Sequence, residues 1–310
     1  MASNENGTVD TSANLAGIEL RNPVLTASGT FGYGTEFKVF MDLRTIGGFV
    51  AKSLTLKPRF GNPPPRIGEV RAGMLNAISL ENVGVDAFIK DKLPEIPDGV
   101  PVIASLFGTE IPEYAEVAKQ LTGVPKIAGL EVNASCPHVK SGGIEFGQNP
   151  VVLAELVRTV RAATDAPLLV KLSPNVTSIA EMAKVCEGEG ADGISLINAV
   201  QAMDVDIRTR RPVLKNILGG FSGPAILPIA LRMVWQASQA VKISICGVGG
   251  ITTPADAVKF LLCGASAVQV GTANYSNPMA AQEIAVGIEQ YARDEGFART
   301  ADLTGALEIS

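Results

Sequence analysis

The chain has very few of the residues that usually build metal centres. Its 310 residues include one histidine, His138, and four cysteines, Cys136, Cys186, Cys246 and Cys263. A single histidine excludes a multi-histidine site, and no cysteine pair has the CxxC spacing of zinc or redox sites. The sequence therefore predicts no metal ion, iron–sulfur cluster or disulfide within this chain.

Positive charge and long apolar runs are also scarce. The net charge is −5, and only Arg208, Arg210 and Arg211 form a basic cluster, so nucleic-acid binding has little support. No apolar run approaches the ~20 residues needed to span a bilayer. The polar, acidic stretch Met1–Thr11 lacks the regions of a secretory signal. We therefore expect a cytoplasmic protein that does not bind membranes.

Glycine and short apolar runs are plentiful instead, with 32 glycines and 46% hydrophobic residues. Most of the runs lack polar alternation, as in parallel strands buried on both faces, and helical patterns separate them. The predicted strands are Val24–Ala27, Gly48–Lys52, Val102–Ser105, Leu130–Asn133, Leu168–Leu172, Gly193–Ile197, Ile243–Gly247 and Ala267–Val270. The clearest predicted helices are Glu113–Leu121, Pro150–Ala163, Ser178–Glu189, Ala225–Ala240 and Pro254–Leu262.

Eight strands alternating with helices predict a (β/α)8 TIM barrel, an α/β fold, as a single domain over residues 1–310. A short polar N-terminal segment, about 1–12, precedes it. The competing open doubly wound sheet would need a GxGxxG turn after the first strand, and none is there. Leu54–Val83 and Asn198–Gly223 are longer than a barrel requires. They lie on its C-terminal side, where we expect binding loops or lids.

Polar residues collect where the predicted strands end. Lys52 and Lys171 lie in otherwise apolar strands, where a lysine is costly unless it is paired or faces a ligand. One such lysine could equally reach solvent along the rim, but two at equivalent strand ends favour an anionic ligand. Glycines follow strands seven and eight, at Gly247–Ile251 and Gly271–Thr272. Backbone N–H groups and a following helix N-terminus can bind phosphate there.

Cys136 differs from the other three cysteines, which we interpret as inert core thiols. It lies in a polar turn just past strand four, between Asn133 and His138. An ordinary thiol pKa of about 8.5 suits a base or a nucleophile. A structural turn cysteine is an alternative. A Cys–His pair is disfavoured, because residues two apart in an extended turn tend to point apart.

Together these motifs resemble the class 1 dihydroorotate dehydrogenases from about Asn14 to Asn277. The matching segments are Ala27–Gly32, Lys52–Thr55, Met74–Ile78, Asn133–Pro137, Val170–Val176, Gly219–Ala225, Gly249–Ile251 and Gly271–Thr272. Pro58–Arg66 and Lys140–Gly147 resemble the NAD-linked class 1B branch. The fumarate-linked class 1A has a different loop after its cysteine, and the membrane-bound class 2 uses a serine base.

The resemblance implies oxidation of (S)-dihydroorotate to orotate in pyrimidine biosynthesis. Cys136 would take the proton from C5, hydride would pass from C6 to FMN, and Lys171 would stabilise the reduced flavin. The implied substrate contacts are Lys52, Asn76, Ala77, Ile78, Ser79, Leu80, Asn133, Asn198 and Ala199. The implied FMN contacts are Ser28, Lys52, Ser53, Ser105, Asn133, Lys171, Ile197 and Gly223, with Gly249, Gly250, Gly271 and Thr272 around the phosphate.

The resemblance also implies a homodimer core within a heterotetramer, whose partner subunits carry FAD and a [2Fe–2S] cluster and pass electrons to NAD. Three positions depart from the family pattern: Ser105 and His138 each replace an Asn, and Ala199 replaces a Thr or Ser. A Cys-Pro-His run is typical of dihydropyrimidine dehydrogenases, which reduce uracil and thymine. A subunit of that kind is one alternative, and a non-catalytic phosphate-binding barrel is another.

Overall fold

The computed structural model describes residues 8–135, 137–138 and 144–309, with the backbone alone at 137–138 and 144–145. The strands are β1 (Ala13–Leu15), β2 (Ile18–Leu20), β3 (Val24–Thr26), β4 (Gly48–Val50), β5 (Ile67–Val70), β6 (Gly73–Asn76), β7 (Val102–Leu106), β8 (Ile127–Asn133), β9 (Pro137–His138), β10 (Ile144–Glu145), β11 (Leu168–Lys171), β12 (Gly193–Leu196), β13 (Val200–Ala202), β14 (Val205–Asp206), β15 (Arg211–Pro212), β16 (Gly219–Ser222), β17 (Ser244–Val248) and β18 (Ala267–Val270). The α-helices are α1 (Val85–Ala87), α2 (Ile111–Leu121), α3 (Pro150–Arg161), α4 (Ile179–Gly188), α5 (Leu227–Ser238), α6 (Pro254–Leu262), α7 (Ala273–Ser276) and α8 (Ala280–Asp294).

Eight of these strands close into a parallel barrel in the order β3-β4-β7-β8-β11-β12-β17-β18. The order around the barrel is the order along the chain, with helices between the strands, which is the (β/α)8 arrangement. The predicted fold is therefore confirmed, and each predicted strand overlaps one barrel strand. Among the described residues, no helix combines the length and apolarity needed to cross a bilayer.

Three of the helices, α3, α4 and α6, begin at residues whose side chains cap them. Asn149 accepts hydrogen bonds from the backbone of Val151 and Val152 at the start of α3. Thr253 and Asp256 form a reciprocal capping box at the start of α6. The five predicted helices are all present, with ends that differ by at most two residues, and α6 has the predicted bounds. Helix α8, which packs against α6 and β3, is absent from the set of clearest predicted helices.

An N-terminal hairpin, β1–β2, closes one end of the barrel. Its Leu15, Ile18 and Leu20 are buried against interior residues near the strand starts, such as Leu25 and Leu169. No part of this hairpin was predicted from the sequence. Its apolar contacts close the N-terminal end of the barrel, and the cavity described below opens at the other end.

The two long connections are not simple loops. Residues 54–83 contribute β5 and β6, residues 198–223 contribute β13 and β16, and the four form one antiparallel sheet in the order β13-β16-β6-β5. Gly220 pairs with Asn76, so segments far apart in the sequence meet over the C-terminal end of the barrel. This inserted sheet forms one wall of the candidate site.

Candidate active site

A cavity of about 610 Å³ opens between the C-terminal ends of the barrel strands and the inserted sheet. Its volume lies within the range of ~300–1,000 Å³ typical of small-molecule sites. Every predicted site residue that the structure describes lines this cavity, except Ser105. The barrel thus brings together side chains from the ends of six strands and the two insertions.

A chain of hydrogen bonds crosses the floor of the cavity. Asn133 donates to the Ser53 hydroxyl at 3.3 Å, and Asn198 donates to the Asn133 side-chain oxygen at 3.3 Å. Ser105 is fully buried, with its Oγ 2.8 Å from that of Ser53. Ser105 therefore lies behind the cavity wall, where it supports Ser53. Its side chain does not line the cavity, although the sequence analysis expected it to contact the cofactor.

The two strand-end lysines lie in different surroundings. Lys171 is only 4% exposed, and its Nζ donates to the Gln269 side-chain oxygen at 2.9 Å. Lys52 is half-buried in the cavity wall, and burial is the main reason that its pKa is lowered, partly offset by the nearby Glu81. A lysine with this lowered pKa gains from a negatively charged ligand, which would favour its charged form.

Glycine loops after β17 and β18 present backbone donors to the cavity. Within the described part of the chain, no acceptor bonds the backbone N–H groups of Gly249, Gly250, Gly271 and Thr272. Gly249 and Gly250 have φ of 127° and 76°, and a β-carbon on Gly250 would lie 2.7 Å from the Leu227 nitrogen. Glycine is therefore required there, and the four N–H groups suit a phosphate.

The helix after β17 begins with its own side-chain cap, beside these glycine loops. The Asp256 side chain accepts from the backbone and hydroxyl groups of both Thr252 and Thr253. Burial acts to raise the pKa of Asp256, but these bonds, with one from Lys259, outweigh it and lower the pKa. The Asp256 N–H in turn donates to the Thr253 hydroxyl, so Thr253 and Asp256 cap the start of α6 beside the open donors of the glycine loops.

A strained segment lines one wall of the cavity. Ser79 and Leu80 have φ of 59° and 58°, a left-handed conformation that costs roughly 1–3 kcal/mol per non-glycine residue. Asn62 donates to the Ala77 carbonyl at 2.9 Å, and Asn82 donates to the Leu80 carbonyl at 2.8 Å. These two asparagines hold a backbone that would otherwise relax, and neither was identified from the sequence.

The predicted base, Cys136, lies outside the described residues. His138 contributes backbone to β9, which pairs with β10. Cys186 and Cys246 are fully buried, and burial raises the pKa of both thiols, which fits their interpretation as inert. Cys263 is partly buried, and burial raises its pKa as well.

Sequence reasoning missed several polar residues around the site. Glu131 and Gln269 are fully buried in barrel strands, and each breaks an otherwise apolar run, the signal that identified Lys171. Asn175 lines the cavity and accepts from the Gln201 backbone at 3.0 Å. Arg59 lies at the rim over the Phe107 ring, 5.4 Å from its centre.

Comparison with known proteins gives a consistent result across nearly the whole chain. The model of the dihydroorotate dehydrogenase family matches residues 11–291. A protein of Pelobacter propionicus, named dihydroorotate dehydrogenase B (NAD(+)), catalytic subunit, is 57% identical over 300 residues, covering 96% of this chain and 99% of that protein. Proteins of the same name from Trichlorobacter lovleyi and Geobacter sulfurreducens are 57% and 54% identical, covering 96% and 97% of this chain and 98% and 99% of their own lengths.

Proposed function

This chain belongs to the dihydroorotate dehydrogenase family, and from that premise we propose that it oxidises (S)-dihydroorotate to orotate in de novo pyrimidine biosynthesis, using bound FMN. The observation that carries the proposal is the cavity itself. It combines a backbone cradle for phosphate with Lys52, Lys171 and paired asparagines at the strand ends. These groups match a phosphate-bearing flavin beside an anionic, amide-containing ring.

The donors present fit FMN. The N–H groups of Gly249, Gly250, Gly271 and Thr272 would hold its phosphate, and Ser28, Ser53, Ile197 and Gly223, which line the same cavity, would contact the rest of the cofactor. When bound, FMN accepts the hydride that leaves C6 of the substrate. Lys171, inside the barrel mouth, would stabilise the negative charge that this transfer leaves on the cofactor.

The side chains at the other wall would orient the substrate. Lys52 would pair with the substrate carboxylate, and Asn76, Asn133 and Asn198 would bind the ring's amide groups. The backbone segment 77–80, to which Asn62 and Asn82 donate hydrogen bonds, would contact one face of the ring. Cys136 would remove the C5 proton, which the neighbouring carbonyl makes acidic, so the chain supplies position and a base of suitable pKa.

A partner subunit belongs to the same proposal. The relatives are named catalytic subunits and NAD(+) enzymes. The described residues contain no cluster of side chains that could hold a metal ion. As the family resemblance implies, FAD and a [2Fe–2S] cluster would reside in a partner that passes electrons to NAD, on a homodimer of this chain. This heterotetramer and the cytoplasmic location are predictions from the family resemblance.

Two measurements test the function. The purified chain should be yellow, release FMN on denaturation, and turn over dihydroorotate in preference to dihydrouracil with an artificial electron acceptor. Preference for dihydrouracil would overturn the substrate and favour the dihydropyrimidine dehydrogenase alternative. A colourless protein that binds no FMN would overturn the proposal altogether and favour a phosphate-binding barrel without catalysis.

A further inference from the structure

Four polar side chains form a connected cluster inside the barrel: Glu131 of β8, Lys171 of β11, Ser195 of β12 and Gln269 of β18. Three are fully buried and Lys171 is 4% exposed. Strands β8 and β18 are not neighbours in the barrel, so the contact between Glu131 and Gln269 must cross its interior. Polar groups in such a place are costly unless bonded to one another.

The hydrogen bonds of the cluster run in one direction. The Ser195 hydroxyl and the Gln269 NH₂ group both donate to Glu131 Oε2, at 2.6 and 2.8 Å. The Gln269 oxygen then accepts from Lys171 Nζ at 2.9 Å. Two donors converge on one carboxylate oxygen, so that oxygen acts as an acceptor.

This pattern fixes which way the Gln269 amide faces. A lysine ammonium has donors only, so it needs the amide oxygen, while the carboxylate oxygen needs the amide NH₂. A flipped amide would set two donors against each other at Lys171 and two acceptors against each other at Glu131. The carboxylate therefore orients the glutamine, and the glutamine holds the ammonium.

Lys171 is left with donors for a ligand. Within the described part of the chain, the Gln269 oxygen is the one acceptor bonded to Nζ, and Lys171 also lines the cavity. One bond from behind sets the position of Nζ, while its other N–H donors stay available on the cavity side. Position matters here, because the stabilisation of a developing charge depends on preset donor geometry.

We propose that Gln269, oriented by Glu131, is a positioning residue that holds the Lys171 ammonium toward the bound flavin. The inference rests on the proposed function, since it assigns Lys171 a charged flavin partner. Neither Glu131 nor Gln269 lines the cavity, so both act through Lys171 and touch neither substrate nor cofactor.

The test measures the midpoint potential of bound FMN and the FMN dissociation constant in purified variants. Gln269→Met keeps the chain length but removes both bonds. It should shift the oxidised–reduced equilibrium of bound FMN toward the oxidised form by about tenfold, ~30 mV for a two-electron couple, and weaken FMN binding. Glu131→Leu should reproduce this shift, whereas Glu131→Gln, which retains an acceptor oxygen for Gln269, should shift the potential less.

A double-variant cycle separates positioning from a general structural effect. Lys171→Ala alone should lower the potential at least as much as Gln269→Met does. Adding Gln269→Met to Lys171→Ala should change the oxidised–reduced equilibrium of bound FMN by less than a further twofold. Ser195→Ala is the matched control, since it removes one hydrogen bond to Glu131 and none to Gln269. It should change the oxidised–reduced equilibrium of bound FMN by less than twofold relative to the parent.

The outcomes distinguish the two levels of the account. If the parent binds FMN and Lys171→Ala lowers the potential, but Gln269→Met and Glu131→Leu do not, the positioning role is overturned and the function stands. The positioning role is also overturned if Gln269→Met shifts the potential equally in the parent and in the Lys171→Ala variant. If Gln269→Met does not fold, the Glu131→Leu and Glu131→Gln pair decides by the same comparison. Failure of the parent to bind FMN would instead overturn the proposed function.

Discussion

The two ends of this barrel are built from the same strands and do opposite things. At the N-terminal end, Leu15, Ile18 and Leu20 of the hairpin cover apolar strand starts. At the C-terminal end, polar strand ends meet a sheet made from two insertions, and a cavity remains. The N-terminal end stabilises the fold through apolar packing, whereas the C-terminal end leaves backbone N–H groups without acceptors among the described residues, so that they can bind a ligand.

The largest expected effect lies at the C-terminal end. Cys136→Ser should lower the rate of flavin reduction by dihydroorotate near neutral pH by roughly 10²–10⁴-fold, because a serine hydroxyl is a far weaker base. FMN content should stay unchanged. Rapid-mixing absorbance under anaerobic conditions measures this, and Cys263→Ser, outside the site, is the matched control. Near-normal reduction in Cys136→Ser would assign the proton to another residue.

The next effect lies at the N-terminal end and should alter stability only. Leu15 is fully buried, so Leu15→Ala should lower the free energy of unfolding by about 2–5 kcal/mol. Leu15→Met, which conserves volume, should cost less than about 1.5 kcal/mol. Denaturant titrations give both values, and turnover per folded molecule should match the parent. A loss of turnover at full folding would show that the two ends are coupled.

A smaller effect concerns the charge at the cavity wall. Burial lowers the pKa of Lys52, so its ammonium loses its proton at a lower pH than an ordinary lysine. Above that pH it no longer attracts the substrate carboxylate, and KM should rise with pH across the alkaline range by about tenfold.

Lys52→Arg tests this directly, because arginine stays charged throughout that range. The variant should lose the alkaline rise in KM even if its KM at neutral pH is higher. Lys119→Arg, at an exposed position of α2, should retain the rise. Persistence of the same rise in Lys52→Arg would assign the titration to another group.

The smallest expected effect concerns the stability of α6, the helix that follows the Gly249–Gly250 loop. Asp256→Ala removes the carboxylate half of the capping box at the start of α6 and leaves the Thr253 half, and should cost about 1 kcal/mol of stability near neutral pH. The folded pKa of Asp256 is lowered, so this stabilisation is present above the ordinary value and lost as pH falls through the folded pKa. Thermal melts at pH 7 and pH 3 should show the difference from the parent shrinking in acid; a constant difference would contradict it.

The barrel itself could be predicted because buried parallel strands leave a local signal, an apolar run such as Ala267–Val270. Lys171 and the Gly249–Gly250 pair could be placed because each interrupts its run at a strand end. The pairing of Gly220 with Asn76 joins residues 144 apart, and no local pattern encodes it. The glutamine behind Lys171 was also missed, because a single polar residue in a strand does not reveal its partner across the barrel.

In the proposed complex, the C-terminal cavity binds FMN and dihydroorotate in the stated orientation. The most direct test is a crystal structure of the protein with FMN and orotate. We expect the FMN phosphate to accept from the N–H groups of Gly249, Gly250, Gly271 and Thr272, and the orotate ring to lie among Lys52, Asn133 and Asn198 with Cys136 facing C5. Density for the phosphate elsewhere, or orotate outside this cavity, would contradict the account.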